Sequence, residues 1–168
     1  MKSTSIATLL KKKKLRLVLA ESCTGGLLSS VLTETPGISE YFCGSLVVYR
    51  EASKIKWLGV RKSTLKKYSA VSAQCAREMA VGALKNTPEA HVSLSITGYL
   101  GPSGKNIGQV FMCAARKNSK KTMTQEFWIS PPSSSKKQKL KKENLINARL
   151  HRRRIALDCA FFLVRSLL

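Results

Sequence analysis

The chain has 168 residues, with 30 lysines and arginines against 9 acidic residues, a net charge of +21, and 43% hydrophobic but only 7% aromatic residues. That length suits one domain with a self-sufficient core, and no uninterrupted apolar run of about 18 residues is present to cross a bilayer. Five cysteines (Cys23, Cys43, Cys75, Cys113, Cys159), odd in number and without a CxxC pair, argue against a disulfide framework or a zinc site and for reduced thiols in a cytoplasm.

The opening "MKSTSIATLLKKKKLRLVLA" puts its lysines after a short apolar patch, the reverse of a secretory signal. Its spacing predicts a helix near 4–13 and then a strand over 15–20. A helix is expected from Thr24 to about Glu34, stopped by "TPG" at 35–37. The nearly continuous apolar run Phe42–Tyr49 reads as a buried strand. Ser72 is placed to cap a helix, with Val71 as a hydrophobic staple, and Cys75, Ala76, Met79, Ala80, Ala83 and Leu84 follow at helical spacing. Strands are expected over 91–97, 108–115 and 123–129, the first two separated by the glycine-rich "TGYLGPSGKNIG". "SPPSSSKKQKLKK" reads as a mobile basic insert at about 130–142. A final helix carries Leu150, Leu157, Phe161, Val164 and Leu168 as one stripe. Strands alternating with helices predict an α/β fold, a three-layer α/β/α sandwich around a mixed sheet.

The chemistry concentrates at "AESCTGGLLSS", 20–30, where a strand hands over to a helix. Ser22 or Thr24 there can cap the helix, which is the ordinary use of these residues. Alternatively, the backbone N–H groups of Cys23, Thr24, Gly25 and Gly26 can hold an anion or a developing oxyanion, with Ser22 as nucleophile. A serine needs a base. The two histidines, His91 and His151, sit in no catalytic motif, so a lysine of lowered pKa is the other option. Lys54, just past the strand ending at Tyr49, can project from the C-terminal edge of the sheet, where ligand sites gather in open α/β folds. Thr97 and Gly98 open the second glycine-rich loop. Arg153 lies beside the apolar stripe of the last helix, where a guanidinium is costly unless it meets an anion or reaches solvent. The positive charge, gathered in "KKKKLR", "KKQKLKK" and "RLHRRR", leaves two readings standing: non-specific nucleic-acid contact through a basic surface, and solvated lysine tails.

Together "AESCTGG", "TPGISEYFCGSLVVYREASK", "LGV", "AVSAQCAREMAVGAL" and "TGYLGPSGKNIGQV" resemble the CinA C-terminal family, the nicotinamide-nucleotide amidases, from Ala20 to about Ala115. The resemblance implies a serine amidohydrolase that turns nicotinamide mononucleotide into nicotinic acid mononucleotide and ammonia. It implies no cofactor or metal and a homo-oligomer. It assigns the nucleophile to Ser22, the base to Lys54 with Tyr49 beside it, substrate contact to Thr97 and Gly98, and the late arginine to Arg153, with Arg152 as the other choice. The nucleotide-processing domain that many CinA proteins carry upstream is expected to be absent. Two departures stand out: the family's "YSNEAK" reads "YREASK" here, and its "TGIAGPxGG" loop is shortened to "TGYLGPSGKNIG". The competing reading is a non-catalytic nucleotide- or nucleic-acid-binding module that kept the fold.

Overall fold

Strand β1, Leu17–Glu21, is buried along its whole length, and its alternating side chains divide between two helical layers. In the computed structural model, which describes residues 3–101, 106–119, 122–130 and 142–168, it lies inside a five-stranded sheet ordered β2-β1-β3-β4-β5. The other strands are β2 (Phe42–Val47), β3 (Val92–Gly98), β4 (Gln109–Arg116) and β5 (Thr122–Trp128). The first three run parallel, and β4 and β5 are antiparallel to their neighbours.

Leu17 and Leu19 of β1, with Val92, Leu94 and Ile96 of β3, face a core built by α1 (Ser3–Lys13), α2 (Leu27–Thr33) and α6 (Lys142–Leu167). Val18 and Ala20 face the opposite way, onto α3 (Glu51–Leu58), α4 (Lys62–Tyr68) and α5 (Ala73–Asn86). This is the three-layer sandwich around a mixed sheet that the sequence predicts. On the α5 side β3 presents small hydroxyl residues instead of aliphatic ones. Ser93 Oγ donates to the Ala80 carbonyl at 2.8 Å, Ser95 Oγ to that of Ala76 at 2.5 Å, and Thr97 Oγ1 to that of Ala70 at 2.8 Å. These bonds satisfy hydroxyls that would otherwise be costly to bury. They match the small residues Ala76 and Ala80 on the α5 face toward β3.

Several expected boundaries shift. Ser72 caps α5 as predicted, accepting from Cys75 N–H at 3.1 Å. Helix α2 begins at Leu27 rather than Thr24, and its N-cap is Gly26 with no capping side chain, so neither Ser22 nor Thr24 caps it. Helices α3 and α4 occupy a stretch in which the sequence pattern predicted no element. Leu150 does not join the buried stripe of α6 and stays 46% exposed. Lys13 Nζ donates to the Leu168 carbonyl, so α1 packs beside the end of α6. Leu150 lies ~27 Å back along that helix at 1.5 Å per residue, beyond the cover of an 11-residue α1. The basic insert falls largely at 131–141, outside the described residues, as do 102–105 of the glycine-rich loop.

Gly82 lets α5 approach α3 closely. A Cβ there would stand 1.9 Å from the Leu58 carbonyl oxygen on α3. Gly82→Ala is therefore expected to push α3 off α5 and destabilise the fold by about 1–3 kcal/mol, the usual range for overpacking. A lowered urea midpoint with unchanged slope is the expected readout.

Candidate active site

The site begins with a backbone that stops being a strand. Ser22 N–H still bonds to the Ile96 carbonyl at 3.1 Å, as a continuing β1 would require. The chain then turns through Cys23, Thr24, Gly25 and Gly26. Gly25 and Gly26 adopt φ of 59° and 93°, the left-handed region that glycine enters without a Cβ penalty.

A fully buried carboxylate holds this turn. Glu21 Oε2 accepts from Thr24 Oγ1 at 2.8 Å, Gly26 N–H at 3.0 Å and Leu28 N–H at 3.1 Å. Its Oε1 accepts from Ser29 N–H at 2.9 Å and Ser45 Oγ at 3.1 Å. Helix α2 thus has its first N–H groups satisfied from the strand before it rather than by a residue at its N-cap.

Lys54 approaches from the other layer. Val48 N–H bonds to the Glu21 carbonyl at 2.7 Å, bringing the end of β2 alongside the turn. Helix α3 follows at once, its start fixed by Ser53 Oγ, which donates to the Arg50 carbonyl at 2.7 Å and accepts from Arg50 N–H at 3.3 Å. Gly59 closes it at φ 68°. Within its eight residues Lys54 points inward and is 1% exposed. Its Nζ donates to Ser22 Oγ at 2.7 Å and to the Val48 carbonyl at 2.6 Å. Among the described residues no carboxylate bonds it. Burial drives its pKa below the usual 10.5, against smaller opposing effects from Cys75, Cys23 and Glu51. Burial also pushes the Cys23 thiol up to about 12 and that of Cys75 up to about 11, so both remain protonated and neither competes with Ser22 as a nucleophile.

Helix α6 supplies positive charge. Arg153 donates through Nη2 to the Thr24 carbonyl, and its guanidinium lies over Gly25, 3.8 Å from where a Cβ would stand. Arg152 is only 7% exposed. The Nε atoms of both arginines are buried and lack a hydrogen-bond partner among the described residues. Arg149, one turn earlier, donates to the Tyr49 hydroxyl at 3.2 Å.

The structure therefore brings together Ser22, Lys54, the Cys23–Gly26 turn and Arg153. Tyr49 stands at the rim, 62% exposed, with its hydroxyl on Arg149 rather than on the serine–lysine pair. Thr97 spends its hydroxyl on Ala70, and Gly98 permits close approach to β4, where a Cβ would lie 2.8 Å from the Gln109 carbonyl oxygen. Of the two loop residues that differ from the family pattern, Leu100 is buried in the core and Tyr99 is part exposed. Sequence reasoning missed Glu21 and Arg149. An acid directly before a glycine-rich helix start is the available signal for Glu21. Among the described residues no group of three or more His, Cys, Asp or Glu could hold a metal ion.

The molecule is thus an α/β/α domain that sets a serine against a buried lysine at the C-terminal edge of a mixed sheet. A family model of the CinA C-terminal domain matches residues 2–165, and the chain belongs to that family. It is 47% identical over 111 residues to a CinA-like protein of Thermotoga neapolitana, covering 64% of this chain and 27% of that protein. A CinA-like protein of Leptospira interrogans is 44% identical over 131 residues, 76% of this chain and 31% of the relative. The chain thus spans about a third or less of the curated relatives it matches. The crystal structure of competence/damage inducible protein CihA from Agrobacterium tumefaciens superposes with a TM-score of 0.84 at 29% identity, over 98% of this chain and 92% of that one. A competence-damaged protein (CinA) superfamily protein from Escherichia coli gives a TM-score of 0.83, also at 29% identity, over 99% of this chain and 88% of that one.

Glu21→Gln replaces one acceptor oxygen by a donor amide among five donors. We expect a loss of about 2 kcal/mol in urea unfolding, the cost of leaving a buried donor unpaired. Wild-type stability in that variant would show that the turn is held by other contacts.

Proposed function

We propose that this protein is a serine amidohydrolase that removes the carboxamide nitrogen of nicotinamide mononucleotide. The observation that carries the reading is the 2.7 Å contact between Ser22 Oγ and the buried Lys54 Nζ, with no carboxylate bonded to the amine. Lys54 in its neutral form takes the proton of Ser22 as Oγ bonds to the carboxamide carbon. Gly25 N–H already donates to the Ser22 carbonyl and Gly26 N–H to Glu21, which leaves the N–H groups of Cys23 and Thr24 for the developing oxyanion. Protonated Lys54 then delivers its proton to the amide nitrogen as the C–N bond breaks, releasing ammonia. Lys54 next deprotonates a water, which attacks the acyl carbon. The proton returns to Ser22 Oγ as nicotinic acid mononucleotide leaves.

The buried Arg152 and half-buried Arg153 suit the substrate phosphate, since a desolvated arginine gains most from a bidentate anion. The exposed ring of Tyr49, tethered to Arg149, would border the bound nucleotide.

Ser22→Ala is expected to lower ammonia release from nicotinamide mononucleotide by ~10³-fold or more with the fold intact. Unchanged turnover would sink the mechanism. Because the base must be neutral, turnover should fall as pH drops through the lowered pKa of Lys54, on a limb centred below 10.5. Lys54→Arg, charged at every accessible pH, should abolish both turnover and that limb. Arg153→Gln should raise KM for the mononucleotide at least about tenfold. It should change KM for the riboside, which lacks the phosphate, far less. Equal effects on both would place the phosphate elsewhere.

A further inference from the structure

The far pole of the sheet carries charge that this chemistry does not use. Strands β1 and β3 start there and β4 ends there. Arg16 N–H donates to His91 Nδ1 at 2.9 Å, and the Arg16 carbonyl accepts from His91 N–H at 2.9 Å and Val92 N–H at 3.0 Å. Lys117 N–H donates to the His91 carbonyl at 2.8 Å. Arg16, His91 and Lys117 are thereby stitched side by side on three adjacent strand ends, a ridge ~10 Å wide at the spacing of strands in a sheet.

A cleft flanks the ridge on each side. One, of about 440 Å³, is lined by Lys14, Arg16, Glu40, Tyr41 and His91. The other, of about 510 Å³, has Val81, Leu84 and Pro88 among its apolar lining and Lys85, Arg116 and Lys117 as its basic groups. Among the described residues none of Lys14, Arg16, Lys85, Arg116 and Lys117 forms an ion pair. The acidic groups at this pole are Glu40, engaged by the Tyr41 hydroxyl, and Glu89.

We propose that this pole binds single-stranded nucleic acid, with Arg16, Arg116 and Lys117 on successive phosphates and Tyr41 stacked against a base. Three features favour a single strand over other polyanions. The cations line a track instead of a uniform surface. Each cleft is large enough for a nucleotide. An aromatic ring and an apolar patch are interleaved with the charge, the combination by which single strands are held without sequence preference. A duplex would ride over both clefts and leave Tyr41 without a partner. Arg16 and Ser22 bracket β1, ~20 Å apart at about 3.3 Å per residue, so the two sites are independent.

The test is fluorescence anisotropy of the full chain with labelled oligo(dT) and oligo(U) of about 12 nucleotides, from about 50 to about 200 mM salt. We expect binding of at least one strand, with a log–log salt slope near −2, as three phosphate contacts give. Combined Arg16→Gln, Arg116→Gln and Lys117→Gln should cost at least about 30-fold in affinity at the lower salt and remove about two units of slope. Ammonia release and the melting temperature should stay unchanged. A control with equal charge loss on α3 and α4, Lys56→Gln, Lys62→Gln and Lys66→Gln, should change affinity by less than about threefold. Tyr41→Leu, which keeps the apolar packing, should weaken binding about fivefold or more with the slope unchanged. An equal loss in the control, equal competition by a duplex of the same length, or no binding of either strand at the lower salt would each overturn the proposal.

Discussion

The architecture of the site depends on one buried carboxylate. Glu21 ends β1 and collects five donors, three of them backbone N–H groups of the turn and of α2. A strand that runs into a helix within a few residues strands the helix's first N–H groups in the interior, where each unpaired group is expensive. Glu21 meets that need from the strand side and so frees the residues between strand and helix from any capping duty. Ser22 then keeps its hydroxyl for Lys54.

The second constraint is that a lysine must be buried without a counter-ion. Lys54 achieves this with two neutral acceptors, Ser22 Oγ and the Val48 carbonyl, and the cost of burial appears as a lowered pKa. The close packing of α3 on α5 at Gly82 holds Lys54 in the interior, because α3 is short and presents only Lys54 and Leu58 as fully buried residues. Packing energy on one side of the sheet therefore stabilises a protonation state on the other end of a side chain.

Charge is divided between the two ends of the strands. At the C-terminal edge Arg152 is buried and the half-buried Arg153 reaches the "AESCTGG" turn. At the N-terminal edge the cations are exposed and arranged around two clefts. A sheet whose strands run in both directions makes this possible: β4 returns its end, with Arg116 and Lys117, to the place where β1 and β3 begin.

What the sequence alone determined was whatever is encoded locally or by chemical type. The strands, the Ser72 cap and helix α5 follow from periodicity and capping chemistry. Ser22 and Lys54 were legible as residues whose chemistry suits a reactive turn, and the family motifs joined them before any distance was known. Helices α3 and α4 were not legible, in α3 because one of the two residues that anchor it inward is a lysine, which a hydrophobic pattern counts as surface. Leu150 failed for the converse reason: its spacing fits the stripe, but its height along α6 lies beyond the helix that would have covered it. Only the tertiary structure decided that Glu21 and not Ser22 or Thr24 serves the first N–H groups of α2, that Tyr49 turns to Arg149, and that Arg16, His91 and Lys117 become neighbours. Each joins residues through packing across strands or layers, and no local pattern records which side chains the closing core will bring together.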